Sequence, residues 1–498
     1  MAALIRVYEA RRSPLVLDEI YAITLAREGL PGIFRTLPHD IDQPLHFVIV
    51  WAWRAIGGEG EMWMKALPIL LGVATVLAVG LFARELFGRR AGLAAAALLA
   101  IQPVHVTYSQ MLQHQALEWL LMVLASWFLW RWTRAFRPAD AAAWVVATVA
   151  LLLTDYYAYL LFWPMVAFGV MTLRHDRHRL LQWLGLVVVS LLVFSPHLAV
   201  AWRQSAANIL EGLPAAPRPA TDLVDVVRKL SFSASWMVPV VVALSVIAIV
   251  ERRSREGAAY LAYLVVLPLA LTWELTWSGV HVYILRNQFF AVPFVCALVA
   301  AGALRLPWQR ARPWAVAALL LVDARGWALK GPLSEAVQLE QAAQYLRQHA
   351  RPGDLVACSE THALFFLRYH LGGWVDSRLL LVPGTVPFHF SDGTLVMTPR
   401  WFISAQDFVG QVDRGREWWG VRMAHAVRSG PQAAELMTRE TGGDTISFGR
   451  VTLWRGHPLA GGPSPEAMPA ARPARPAIAK PAAATSGRRA DHRHLPHA

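Results

Sequence analysis

The chain has 498 residues, of which 56% are hydrophobic and only 16% charged, with 22 Trp and a net charge of +13. This balance excludes an ordinary soluble domain, where roughly half or less of the residues are apolar and about a quarter are charged. The basic residues are scattered over many connections, so membrane orientation and contact with anionic lipid explain the charge better than nucleic acid does.

The opening residues do not read as a cleavable signal peptide, because Arg6, Arg11 and Arg12 come without an adequate apolar core. Residues 1–63 carry Asp18-Glu19 and then Asp40 and Asp42 ahead of the first long apolar stretch. Ten such stretches follow, at about 64–83, 91–107, 115–130, 141–154, 157–173, 180–200, 235–251, 258–277, 284–303 and 313–328. Several are shorter than the ~20 residues of a perpendicular crossing. Five connections hold three basic residues each: Arg84, Arg89, Arg90; Arg131, Arg134, Arg137; Arg174, Arg177, Arg179; Arg252, Arg253, Arg255; Arg305, Arg310, Arg312. The turns near Tyr108–His114, Asp155 and Ser278–Tyr283 hold no Lys or Arg. The positive-inside rule makes the basic set cytoplasmic and the others outward.

An even number of crossings places residues 1–63 and all that follows 328 outside. An outward segment bearing Arg6, Arg11, Arg12, Arg27 and Arg35 then predicts a further transmembrane helix upstream. The alternative is a tilted crossing at 44–56 with the N-terminus inside. Residues 329–458 read as a soluble α/β domain. Its helices fall at about 335–349 and 360–370, and its strands at Asp354–Ser359, Leu379–Val382, Thr394–Met397, Trp418–Met423 and Val451–Trp454. The Pro/Ala/Arg-rich tail, 459–498, is expected to be disordered. The expected class is a polytopic α-helical membrane protein with a C-terminal extracytoplasmic α/β domain.

Asp18-Glu19 stands where a base could act on a lipid headgroup with water excluded. Its plainer explanation is a helix start with acids on the positive dipole end. Arg286 lies in an apolar segment, where an Arg is costly unless it faces a cavity or a partner. Its donor fork suits a phosphate; the alternative is snorkelling to lipid headgroups. Lys65 is a second cation or an interface anchor. Asp155 either lines the same cavity or caps its turn, and Glu274 reaches water at a helix end. Cys296 and Cys358 lack metal-type spacing, and His39, His105 and His114 fix no ligand geometry, so neither a metal nor a cofactor is expected.

From Asp18 to about Gly373 the chain resembles the GT-C glycosyltransferases related to dolichyl-phosphate-mannose protein mannosyltransferases and bacterial aminoarabinose transferases (the family 39 group). The resemblance rests on the order of several elements. These are Asp18-Glu19, Asp42-Gln43-Pro44-Leu45 for a His-Pro-Pro-Leu element, Phe87-Gly88-Arg89-Arg90 for a Gly-Arg-Arg turn, Tyr108-Ser109-Gln110, Arg286 followed by Pro293, and Arg351-Pro352-Gly353-Asp354. It implies a GT-C-like bundle in a bacterial inner membrane and inverting transfer of a hexosyl or pentosyl group from a polyprenyl-phosphate sugar to an envelope lipid, glycan or protein. It further implies Asp18 as general base, Glu19 as its helper or structural partner, and Arg286, Asp42, Lys65, Asp155 and Gln113 around the substrates.

The chain departs from that pattern where relatives place a Glu and an Arg after Tyr-Ser-Gln. Met111, Gln113 and Gln115 stand here, and Glu118 lies one turn further on. A non-catalytic subunit that binds a polyprenyl lipid or a partner enzyme is therefore the competing reading. A transporter or flippase is a third, disfavoured because matching halves with Gly/Pro-broken helices are missing.

Overall fold

A computed structural model describes residues 1–39, 42–206, 219–278, 285–328, 334–351, 354–358, 361–372, 379–381, 418–423 and 445–456. All ten apolar stretches coincide with helices. They are Glu61–Phe87, Arg89–Ile101 with Pro103–Tyr108, Gln115–Ala135, Pro138–Leu152, Ala158–Leu173, Arg177–Ala206, Val238–Val250, Arg255–Trp277, Val292–Ala303 and Ala311–Ala328. The second stretch is broken at Gln102, where Pro103 has no N–H to continue the ladder and starts a new short helix.

Among the described residues, four helical spans are long and apolar enough to cross a membrane by themselves: Glu61–Phe87, Arg177–Val200, Arg255–Trp277 and Arg286–Ala303. A bent pair, Val224–Leu230 with Ser235–Val250, adds one more if it counts as a single span. Pro138–Leu152 and Ala158–Leu173 are apolar but short. The protein is an integral membrane protein whose helices are individually uneven in length.

The basic connections share one end of this bundle. Arg134 pairs with Glu256 at 3.1 Å, Arg305 with Glu251 at 3.7 Å, and the Trp127 indole donates to Glu85 at 2.8 Å. Lys65 and Arg84 lie near opposite ends of helix Glu61–Phe87. Nineteen residues of helix separate them by about 28 Å, close to the hydrocarbon thickness of a bilayer.

Helix Val292–Ala303 is buried along its whole length. Gly302 lets it approach helix Val238–Val250 closely, since a Cβ there would overlap the backbone carbonyl of Leu244. This central helix fixes the position of the 3₁₀ turn Leu285–Ala291 that precedes it, and with it Arg286.

Residues 1–63, expected as an outer loop, contain helices Ala2–Ala10, Leu17–Arg27, Gly29–Thr36 and Pro44–Gly57. Arg6 is buried against the bundle, donating to the carbonyls of Ala2 and Ala100 at 2.9 Å and meeting His105 Nδ1 at 2.6 Å. Among the described residues, the C-terminal region forms one five-stranded sheet from β1 (Leu355–Cys358), β2 (Leu379–Leu381), β3 (Trp418–Met423), β4 (Thr445–Phe448) and β5 (Val451–Gly456). Its order is β2-β1-β3-β5-β4, with β1 parallel to β2 and β3, and β5 antiparallel to β3 and β4. Helices Ser334–His349 and Thr361–Leu371 pack on it. The N-terminal helices and this α/β layer share a core in which Leu15, Ile20, Ile23 and Leu112 meet Leu339, Phe366 and Val421. The expected strand Thr394–Met397 and the tail from 459 lie outside the described residues.

Candidate active site

Pro14 and an extended Val16 break the chain ahead of helix Leu17–Arg27, whose first turn carries Asp18 and Glu19. Glu19, at the third helical position, reaches back to accept the Val16 N–H at 2.7 Å, which is one half of a capping box. Its other oxygen accepts the Leu112 N–H at 2.7 Å. Glu19 thus ties the start of this helix to the 109–114 turn. Burial pushes its carboxyl up to about 7, against the opposing pull of Lys65 and the two backbone donors. Glu19 and Lys65 line a water-sized cavity of about 10 Å³ with Ser13 and Gln110. The Lys65 ammonium is occupied by the carbonyls of Ala10 (3.1 Å) and Ser13 and by Glu61 (2.7 Å).

Asp18, one residue earlier, faces a separate and larger cleft of about 350 Å³. It is lined by Asp18, Tyr108, Gln113 and Arg286 on the membrane-domain side, and by Leu339 and Phe366 among others on the α/β side. The size falls in the range of small-molecule sites, with apolar walls and a few convergent polar groups. Asp18 Oδ2 accepts from Arg286 Nη1 at 2.9 Å and from Gln113 Nε2 at 3.0 Å. No donor among the described residues takes Oδ1. Arg286 Nε and Gln113 Oε1 are buried without hydrogen-bond partners. The side chains of Asp18 and Arg286 are 44% and 40% exposed, so the pair opens to the cleft. Asp42 adds its charge to the field at Arg286 and His114.

Asp155 sits beside this pair, behind the cleft. Its Oδ1 accepts the Tyr157 N–H at 2.9 Å, capping its turn, while Oδ2 lies 2.8 Å from His114 Nε2 and 3.4 Å from Asn287 Nδ2. The structure therefore brings Asp18, Arg286 and Gln113 together with Asp42 and Asp155 near by, and leaves Glu19 and Lys65 on the neighbouring void. Neither Asn287, adjacent to Arg286, nor Tyr108 as a lining residue stood out in the sequence. The Tyr-Ser-Gln segment was the signal for Tyr108; nothing but adjacency marked Asn287.

The chain has a GT-C glycosyltransferase fold of the protein-mannosyltransferase and ArnT type. Residues 41–200 match the family model described as dolichyl-phosphate-mannose-protein mannosyltransferase. The fold is similar to that of ArnT from Cupriavidus metallidurans in the apo state, with 14% identity and a TM-score of 0.64 over 91% of this chain and 96% of that one. The same protein bound to undecaprenyl phosphate gives 15% identity and a TM-score of 0.63 over 93% and 98%. A more distant likeness links it to the Archaeoglobus fulgidus oligosaccharyltransferase, with 15% identity and a TM-score of 0.45 over 85% of this chain and 67% of that one. No curated protein sequence matches the chain.

Proposed function

We propose that this protein is an integral-membrane glycosyltransferase that moves a sugar from a polyprenyl-phosphate donor to an envelope lipid, glycan or protein, with inversion at the anomeric carbon. The observation that carries the reading is the junction of Asp18 with Arg286 at one cleft, a carboxylate with a free oxygen beside a guanidinium with a buried, unpartnered N–H. Asp18 Oδ1 takes the proton of the acceptor hydroxyl as that oxygen attacks the anomeric carbon. The bond from that carbon to the donor phosphate breaks, and the lipid phosphate leaves with the electron pair. Arg286, with Asp42 and Gln113 setting its surroundings, stabilises the departing phosphate oxygens, and the cleft supplies orientation. Glu19 and Lys65 are positioning residues that hold the helix bearing Asp18, and Asp155 holds Asn287 beside Arg286.

The site end of the bundle faces away from the cytoplasm, since the basic turns occupy the other end. That orientation makes the α/β domain, 329–458, extracytoplasmic, where Leu339 and Phe366 shape access for the acceptor. The inner membrane of a bacterium fits this arrangement, as does the undecaprenyl phosphate bound by the ArnT of similar fold.

A deletion strain complemented with the wild type or with Asp18→Asn tests the proposal. Mass spectrometry of its envelope lipids, glycans and proteins should show a glycan lost on deletion and restored only by the wild type. Restoration by Asp18→Asn would favour the non-catalytic scaffold instead.

A further inference from the structure

We propose that Gln43, Tyr156 and Tyr159 form a subsite for an uncharged sugar ring, the glycosyl group of the donor. This rests on the transferase reading and adds to it the class of sugar. Gln43 immediately precedes helix Pro44–Gly57, and the two tyrosines flank the start of helix Ala158–Leu173. The Leu45 N–H bonds to the Leu153 carbonyl at 2.9 Å and ties the two segments together. The Tyr156 hydroxyl lies against the Gln43 amide without the alignment of a hydrogen bond. The rings of Tyr156 and Tyr159 stack at 5.9 Å.

Gln43 is the strongest indication of a ligand. The residue is 2% exposed, and neither its amide nitrogen nor its amide oxygen has a hydrogen-bond partner. The hydroxyls of Tyr156 and Tyr159 and the Nε2 of His197 are buried and unpartnered as well. His197 joins the cluster through Phe194, whose ring lies 5.8 Å from Tyr159 and 5.6 Å from His197. Buried polar groups in folded proteins are nearly always satisfied, so these side chains call for a polar occupant. The rings of Tyr156, Tyr159 and His197 are only half-buried, which sets the cluster just beneath the surface.

The chemistry of the lining selects the ligand. An amide and two phenols supply donors and acceptors without a formal charge, and the tyrosine rings with Phe194 supply apolar faces. A sugar ring matches both, with hydroxyls around its edge and C–H groups on its faces. The carboxylates of Asp42 and Asp155 act on Tyr156 and oppose an anionic sugar there. The same two acids place the cluster near the donor phosphate. Gln43 follows Asp42, whose charge acts on Arg286, and Tyr156 follows Asp155, which holds Asn287 beside Arg286. A sugar joined to a phosphate on Arg286 therefore lies within reach of Gln43 and Tyr156.

The test measures binding, to the full chain in detergent, of bare undecaprenyl phosphate and of undecaprenyl phosphates carrying a neutral hexose, a neutral pentose or an amino sugar. At least one neutral sugar-lipid should bind the wild type about tenfold more tightly than the bare lipid. Gln43→Leu, which keeps the volume and removes the amide, should erase that gain and leave the affinity for the bare lipid unchanged. It should melt no lower than the wild type, because no protein group loses a bond. Should Gln43→Leu fail to fold, Tyr156→Phe decides in its place, by losing or keeping the gain. The proposal is overturned by a wild type that binds bare and sugar-linked lipid equally, or prefers only the amino sugar. It is also overturned by a folded variant that keeps the wild-type preference, since water then occupies the cluster. These results leave the transferase reading standing while the bare lipid binds, whereas a wild type that binds none of the lipids overturns both.

Discussion

Asp18 and Arg286, 268 positions apart in sequence, meet at 2.9 Å, and the residues beside their contacts repeat the arrangement around a second carboxylate. Gln113 donates to Asp18 while the next residue, His114, lies against Asp155. Arg286 donates to Asp18 while the next residue, Asn287, donates to Asp155. Two dipeptides, one entering helix Gln115–Ala135 and one preceding the central helix, thus bracket two acids. One acid faces the cleft and the other is buried beside it, so the site is held from both sides by the bundle.

Asp18→Asn should abolish turnover and spare the fold. The Asp18–Arg286 pair is partly exposed on both sides, and such pairs contribute about 0–1 kcal/mol to stability. Loss of a general base lowers the rate by roughly 10²–10⁴. Initial rates and melting temperature on the same preparation check both halves.

Arg286→Lys keeps the charge and loses the planar fork. One charge-assisted hydrogen bond to the donor phosphate is worth about 1.5–3 kcal/mol, which corresponds to about a ten- to hundredfold loss in donor affinity. Titration of undecaprenyl phosphate against the wild type and this variant measures it. Equal affinities would remove Arg286 from the phosphate site.

Glu19 gives the fold a pH dependence. Its carboxyl, raised from 4.5 to about 7 by burial, binds more protons folded than unfolded between those values. Its contribution is therefore fully present below about pH 4.5 and is lost as the pH rises through 7, on the order of 3 kcal/mol in total. Melting temperature from pH 5 to 8 should fall in the wild type more steeply than in Glu19→Gln.

Gly302→Ala places a methyl group against the Leu244 carbonyl, a backbone atom that cannot swing aside. The two central helices must separate, with a destabilisation of about 1–3 kcal/mol. Thermal unfolding in detergent checks it, and an unchanged melting temperature would mean that the helices are less closely packed.

Much of the bundle is legible in the sequence because a bilayer leaves few choices: apolar runs become helices, and Arg-rich turns mark one end. The candidate site is legible in a different way. Asp18 and Arg286 came forward through a resemblance and through the expense of an Arg among apolar residues, but no local pattern reports a contact across 268 positions. A helix start at Asp18-Glu19 and a helical stretch at 44–56 stood among the alternatives, whereas Ala2–Ala10 and Gly29–Thr36 went unread because their apolar faces are short and mixed with Arg; Ala2–Ala10 is completed by the bundle, and Leu17–Arg27 by burial against the α/β layer. Glu19 was expected as a helper or structural partner of Asp18, and the choice between those two roles is not written in the sequence. Whether an acid is a base or a brace depends on who donates to it, and Leu112 lies 93 residues away. His105, a candidate ligand by type, is taken by Arg6, whereas His114 gains Asp155 only after the chain turns back.

The most direct test follows release of free polyprenyl phosphate from a panel of polyprenyl-phosphate sugars by the purified protein in proteoliposomes, with envelope extract as acceptor. The wild type should release it from at least one donor, and Asp18→Asn should do so at least a hundredfold more slowly, the lower bound of about 10² for losing a general base. Release at the wild-type rate by Asp18→Asn would contradict the assignment of Asp18 as the base.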